Sequence, residues 1–132
     1  MSPKIVLISS ALLLGVLGGL LTFFPDEMIT SMGIASNPIS TLSFQLLGAL
    51  YLGFAMLNWM VKGSLIGGIY NTPIAVGNCM HFAVGTLALL KISYILQSHS
   101  EIVILLTIIY AIFAIGFVII FRTNPHQVRK VT

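Results

Sequence analysis

Four long apolar runs constrain this chain more than any other feature. They are "IVLISSALLLGVLGGLLTFF" (residues 5–24), "TLSFQLLGALYLGFAMLNWMV" (41–61), a run from Pro73 to about Leu96, and "IVILLTIIYAIFAIGFVIIF" (102–121). Each reaches the roughly 20 residues that a helix needs to cross a hydrocarbon core about 30 Å thick. Inside lipid, backbone polar groups must pair within the segment, so these runs are helices rather than open strands. The expected fold is therefore all-α: a polytopic membrane protein, one domain over residues 1–132, with four transmembrane helices in a compact bundle. Only 7% of the residues are charged, against about 25% in a soluble domain. So few charges cannot coat a water-facing surface of this size.

The first run follows a basic residue, Lys4, as a signal peptide would. It is long enough to span, however, and no small-residue cleavage site of the A-x-A kind follows it. It is read as a retained span.

Charge sets the expected orientation. With both termini in the cytoplasm, Lys4, Lys62, Arg122, Arg129 and Lys130 all fall inside, and Asp26, Glu27 and Glu101 fall outside. Lys and Arg bias governs topology, and an even number of spans returns the chain to the side where it started. The net charge of +3 is explained this way, without nucleic acid, because the basic residues are few and dispersed. The remaining base, Lys91, lies near the outer end of the third span. It either snorkels its amine to the headgroups or joins Gln45 and Glu101, at similar depth, in a small outer polar site.

In the first loop, "FPDEMITSMGIASNPIS", Asp26 offers an N-cap, Met28, Ile29 and Met32 an apolar side, and Gly33 a stop. A short interfacial helix is expected on the outer face, either a plain connector or a lid over a bundle cavity. Thr72 before Pro73 is the expected N-cap of the third span. Small residues four apart, which let helices approach closely in lipid, occur as Ala11/Gly15/Gly19, Ala49/Gly53 and Gly77/His81/Gly85. They suit packing within the chain as well as dimerisation. The fourth span, mostly Ile, Val and Phe, is expected to face lipid most.

Depth matching at 1.5 Å per residue puts Ser9, Ser10, Asn58, Asn78 and His81 in the inner half of three spans. Trp59 and Tyr70 fall near the inner interface. Polar side chains in lipid turn inward and find partners, so these five form a candidate inner cluster. His81 is either a neutral ring hydrogen-bonded within it or a contact to a quinone, lipid or small polar ligand. Haem is disfavoured: His99 sits at the outer rim and His126 in the tail, so no second histidine matches the depth of His81. Cys79, the single cysteine, excludes an intrachain disulfide or a CxxC pair and reads as packing. Thr107 and Tyr110 read as interhelical hydrogen-bond donors.

Absences narrow the function. No Asp or Glu lies within a span, which argues against a proton-coupled exporter of the small four-helix type. No metal-ligand, nucleophile-elbow or phosphate-loop motif occurs, so no catalytic residue and no metal site is assigned, and enzyme activity ranks last.

The stretch "FQLLGALYLGFAMLNWM", residues 44–60, resembles the DoxX-like group of small four-helix bacterial membrane proteins. The likeness rests on a polar residue, two apolar residues, Gly48, a bulky run, Gly53 and a polar helix end. Gln45 stands where that group usually has Arg, and the pattern falls in the second span rather than the first. The resemblance implies a bacterial inner (cytoplasmic) membrane and, for some relatives, a place as a subunit in quinol- or sulfur-oxidising complexes. Three functions stay open. The leading one is a non-enzymatic accessory subunit that binds lipids or a partner, as a homo-oligomer or within a larger membrane complex. The second is a quinone- or redox-linked subunit using His81 and Asn78. The third is an oligomeric small-solute transporter or channel.

Overall fold

The computed structural model describes residues 2–63, 71–95 and 100–123. Among these the protein is all-α: α1 Pro3–Phe23, α2 Pro25–Ser31, α3 Pro38–Val61, α4 Thr72–Ser93 and α5 Ser100–Thr123. All but the short α2 are long and apolar enough to cross a membrane. Each expected span lies for most of its length on one of these helices. Tyr70, Leu96, His99, His126, Arg129 and Lys130 lie outside the described residues. The chain divides into two units, Leu7–Lys62 and Met1–Val6 with Gly63–Thr132.

In the first unit, α1 ends where Pro25 dictates. The residue before a proline is pushed out of the helical region, and Phe24 sits at φ −130°, ψ 48°. Pro25 then occupies the first turn of α2, where its missing N–H costs nothing. α2 closes with a Schellman motif. Gly33 takes φ 74°, the Ile34 N–H donates to Ile29 O (3.3 Å) and the Gly33 N–H to Thr30 O (2.9 Å). The expected stop at Gly33 is therefore met. Asp26 does not cap α2, since its helix begins one residue earlier, at Pro25. Its carboxylate instead accepts Ser36 Oγ (2.5 Å) and Thr41 Oγ1 (2.6 Å), tying α2 to the first turn of α3.

α3 starts three residues before the expected boundary because Asn37 caps it. Asn37 Oδ1 accepts the Ile39 and Ser40 N–H groups, both at 3.0 Å. Ser40 Oγ in turn accepts the Asn37 N–H at 3.0 Å, completing a capping box. At the other end, Lys62 Nζ lies 2.9 Å from the centroid of the Trp59 ring, a cation–π contact at the lysine-bearing end of the helix.

α1 and α3 cross antiparallel, nearly backbone to backbone. A Cβ built on Gly18 would lie 2.9 Å from Gly48 O, and one built on Gly48 would lie 2.9 Å from Gly18 O and 2.8 Å from Thr22 N. The Cα hydrogens at those positions thus point at each other's carbonyls, a reciprocal Cα–H···O contact. The small residues that meet are Gly18 and Gly48, with Gly15 next to Ala55 (3.8 Å). Of the expected stripes, Gly15 and Gly85 meet neighbours, while beside Gly19 and Gly53 a Cβ would meet nothing within 4 Å among the described residues.

In the second unit α4 and α5 pack along their length. The N-cap of α4 is Asn71, and Thr72 is already its first helical residue, which corrects the expected cap by one position. Phe82 is fully buried at the centre of the pair, along with Phe117. A Cβ on Gly85 would fall 2.7 Å from Tyr110 Cε1, so this glycine exists to seat the Tyr110 ring. Val6, from the start of α1, lies against Gly116 of α5.

Burial is uneven among the spans. It covers 39% of the most apolar stretch of α1, 22% of α5 and 17% of α4, but only 6% of α3. The least buried span is therefore α3, not the fourth, although α5 has the higher hydropathy (3.0 against 1.5). Hydropathy does not rank burial here, because lipid accepts the same side chains as the protein interior.

Candidate functional site

The candidate inner residues fall in both units. In the first, Ser10 and Asn58 are fully buried. Asn58 Nδ2 donates to Ser10 Oγ at 3.0 Å, and Ser10 Oγ donates to Leu7 O at 3.0 Å. This short chain joins α1 and α3 one turn beyond the Gly15–Ala55 contact. Ser9 is exposed, as its place one residue (100° of helix) from Ser10 requires.

In the second unit, Asn78 is fully buried. Its Nδ2 donates back to Ile74 O at 2.9 Å, so part of its amide is spent on its own helix. His81, one turn on, is half-buried and belongs to an aromatic cluster. Its ring meets Phe82 edge-on (5.1 Å between centroids, 75°) and Tyr110 at a tilt (5.7 Å, 49°). Phe82 in turn meets Tyr110 edge-on (5.1 Å, 68°) and stacks on Phe113 (5.0 Å, 23°) and Phe117 (5.7 Å, 11°). Offset stacks and edge-to-face contacts at these distances are favourable beyond their buried area. The imidazole thus packs at one end of a ring column.

Sequence reading missed that column. Its signal is present in α5, where Tyr110, Phe113 and Phe117 are spaced three and four apart and so share one helix face. Thr107 is buried, but its Oγ1 donates to Val103 O (2.7 Å) on its own helix. The expectation that it bonds across helices is corrected: a buried threonine can satisfy itself on the preceding turn. Cys79 is a half-buried free thiol.

The candidate outer residues Gln45, Lys91 and Glu101 are all exposed. Among the described residues Lys91 and Glu101 form no ion pair with each other. Lys91 stands in the last turn of α4 and Glu101 in the first turn of α5, each the charge sign that its helix end favours. The outer acid with a built environment is Asp26. Its hydrogen bonds from Ser36 and then Thr41 hold its pKa below the ordinary 3.8, against a small opposing effect of desolvation.

Among the described residues no group of three or more His, Cys, Asp or Glu could hold a metal ion. A buried threonine hydroxyl, Thr22 Oγ1, makes no hydrogen bond among those residues; it faces the Cα hydrogen of Gly48 at the close crossing, a weaker C–H···O partner. Comparison of the chain with protein-family models, curated proteins and solved structures finds no match.

Proposed function

We propose that this protein is a non-enzymatic accessory subunit of a membrane assembly, which works by offering helix surface to lipids and to other membrane helices. The observation that carries this reading is the exposure of α3, where only Gly48, Ala55 and Asn58 are buried. A helix that contributes so little to its own fold is available for contact with something else. The polar residues favour packing over chemistry: Ser10–Asn58 and Asn78–Ile74 are internal hydrogen bonds, and the His81 ring packs edge-on and at a tilt against its neighbours. The likeness of residues 44–60 to DoxX-like proteins, some of them subunits of larger complexes, fits the same role. The distribution of charge supports a placement with both termini in the cytoplasm of a bacterial inner membrane.

The test is native mass spectrometry on protein extracted gently in its own lipids, with a visible absorption scan. The reading expects a defined assembly heavier than one chain. A bare monomer, in the extract and in the membrane before extraction, overturns it. The same spectrum tests the quinone-linked alternative. A bound quinone that disappears in His81→Ala would replace the accessory role with a redox one.

A further inference from the structure

One side of α3 is not explained by lipid. Gln45, Ala49 and Gly53 follow each other at intervals of four, all exposed. Met56 and Met60 continue the same face and are 61% and 71% exposed. This face points well away from Gly48, Ala55 and Asn58, the residues turned inward. Lipid chains can cover Ala, Gly and Met, but they cannot satisfy Gln45, whose amide makes no hydrogen bond among the described residues. Gln45 lies seven residues into α3, about 10 Å along the axis. The helix has 24 residues, about 36 Å, and overshoots a core about 30 Å thick by only about 3 Å at each end. With α3 centred on the core, the Gln45 Cα sits roughly 7 Å inside the hydrocarbon. Side-chain amides at such depth bond across helices.

We propose that Gln45 is the pairing residue of a parallel contact between α3 and the α3 of a second copy of this chain. A primary amide is its own complement, with N–H donors and a carbonyl acceptor. Two copies in one membrane share one topology, so their α3 helices run parallel. A twofold axis along the membrane normal then sets the two Gln45 amides opposite each other at equal depth. Further along, Ala49 and Gly53 let the backbones approach. Among the described residues nothing fills the space beside Gly53, whereas the space beside Gly48 is filled by α1. The proposal rests on the partner-binding reading above and names the partner.

The full chain, labelled with donor and acceptor dyes and reconstituted in phospholipid vesicles over a range of protein-to-lipid ratios, measures the association. Gln45→Leu is expected to weaken it about 5- to 20-fold, the range for an intramembrane side-chain hydrogen bond. Gln45→Asn is expected to retain most of it. Gly53→Leu is expected to abolish it, and Leu50→Ala, on another side of α3, to change it less than about twofold. In native membranes, Gln45→Cys in a Cys79→Ser background is expected to give a disulfide-linked dimer before any detergent is added. Vesicles that show only monomer, or a dimer unmoved by Gln45→Leu, overturn the proposal. A Gln45→Cys cross-link to a different protein overturns the homodimer and leaves the accessory role standing. A monomer in vesicles that also cross-links to nothing in native membranes removes both.

Discussion

The α1–α3 crossing and the α4–α5 pair are held together by opposite means. Gly18 and Gly48 join the first by removing side chains until carbonyls meet Cα hydrogens. Phe82, Phe113, Phe117, Tyr110 and His81 join the second by filling the gap with rings. Both solve one problem. In lipid, no hydrophobic force drives helices together, so close packing and polar contacts have to do it. The glycine crossing gains from closeness and tolerates no added atom. The ring column gains from filled volume and tolerates no lost one. The two regions should therefore respond in opposite directions to changes of size.

The largest effect is expected at the crossing. Gly48→Leu drives its Cβ into the backbone of Gly18 and Thr22, which cannot swing aside, and should destabilise the protein by about 3 kcal/mol or more. Gly53→Leu, five residues along the same helix, should stay within about 0.5 kcal/mol. Unfolding in mixed micelles with sodium dodecyl sulfate, followed by the fluorescence of the single Trp59, compares the two. Equal losses would mean that the crossing is not closely packed.

The ring column should lose next most. Phe82→Ala removes a ring of roughly 100 Å³ and, at about 24 cal/mol per Å³ of cavity, should cost about 2–3 kcal/mol. Phe82→Leu should recover much of this. An alanine variant as stable as the parent would show the column to be fluid rather than packed.

Asn58→Leu is expected to cost about 1 kcal/mol by removing the bond to Ser10, in line with intramembrane side-chain hydrogen bonds. The same micelle titration reads it, and a stabilised variant would count against the bond as a support for α1 and α3. The smallest effect belongs to Asp26. Its pKa is lowered in the folded protein, chiefly by Ser36, so its contribution is fully present above the ordinary 3.8. It is lost as pH falls below 3.8 through the lowered folded value. Hydrogen exchange at Ile34–Thr41 should rise over that acid range in the parent chain and show no such step in Asp26→Asn. A step of equal size in both would mean that Asp26 is not its source.

Much of the fold is legible in the residues, and the failures share a cause. The four spans follow from run length, and Pro25 and Gly33 bracket α2 by backbone chemistry alone. The Asn37 capping box is legible too, in "NPIS", because an N-cap followed by proline and a third-position serine is a local pattern. Thr72 for Asn71 is an error of one residue between two adjacent polar candidates. The mistakes of substance concern helix faces. The stripes through Gly19 and Gly53 looked as able to meet a neighbour as Gly18 and Gly48. The fourth span, the most apolar, looked the most exposed, yet α3 is less buried. Of the inner cluster, the Ser10–Asn58 bond is compatible with depth matching, while the ring partners of His81 depend on which face of α5 meets α4.

The division between sequence and structure has a physical origin. Sequence by itself determined that this chain makes helices, to within a few residues where they lie, and that a membrane is their solvent, because backbone groups in hydrocarbon have to be paired locally. Only the tertiary structure decided which side of each helix is spent on the fold. In water, polar and apolar faces would have announced that choice. In lipid, the inside and the outside of the protein accept the same side chains, and only the fit between particular glycines and rings tells them apart.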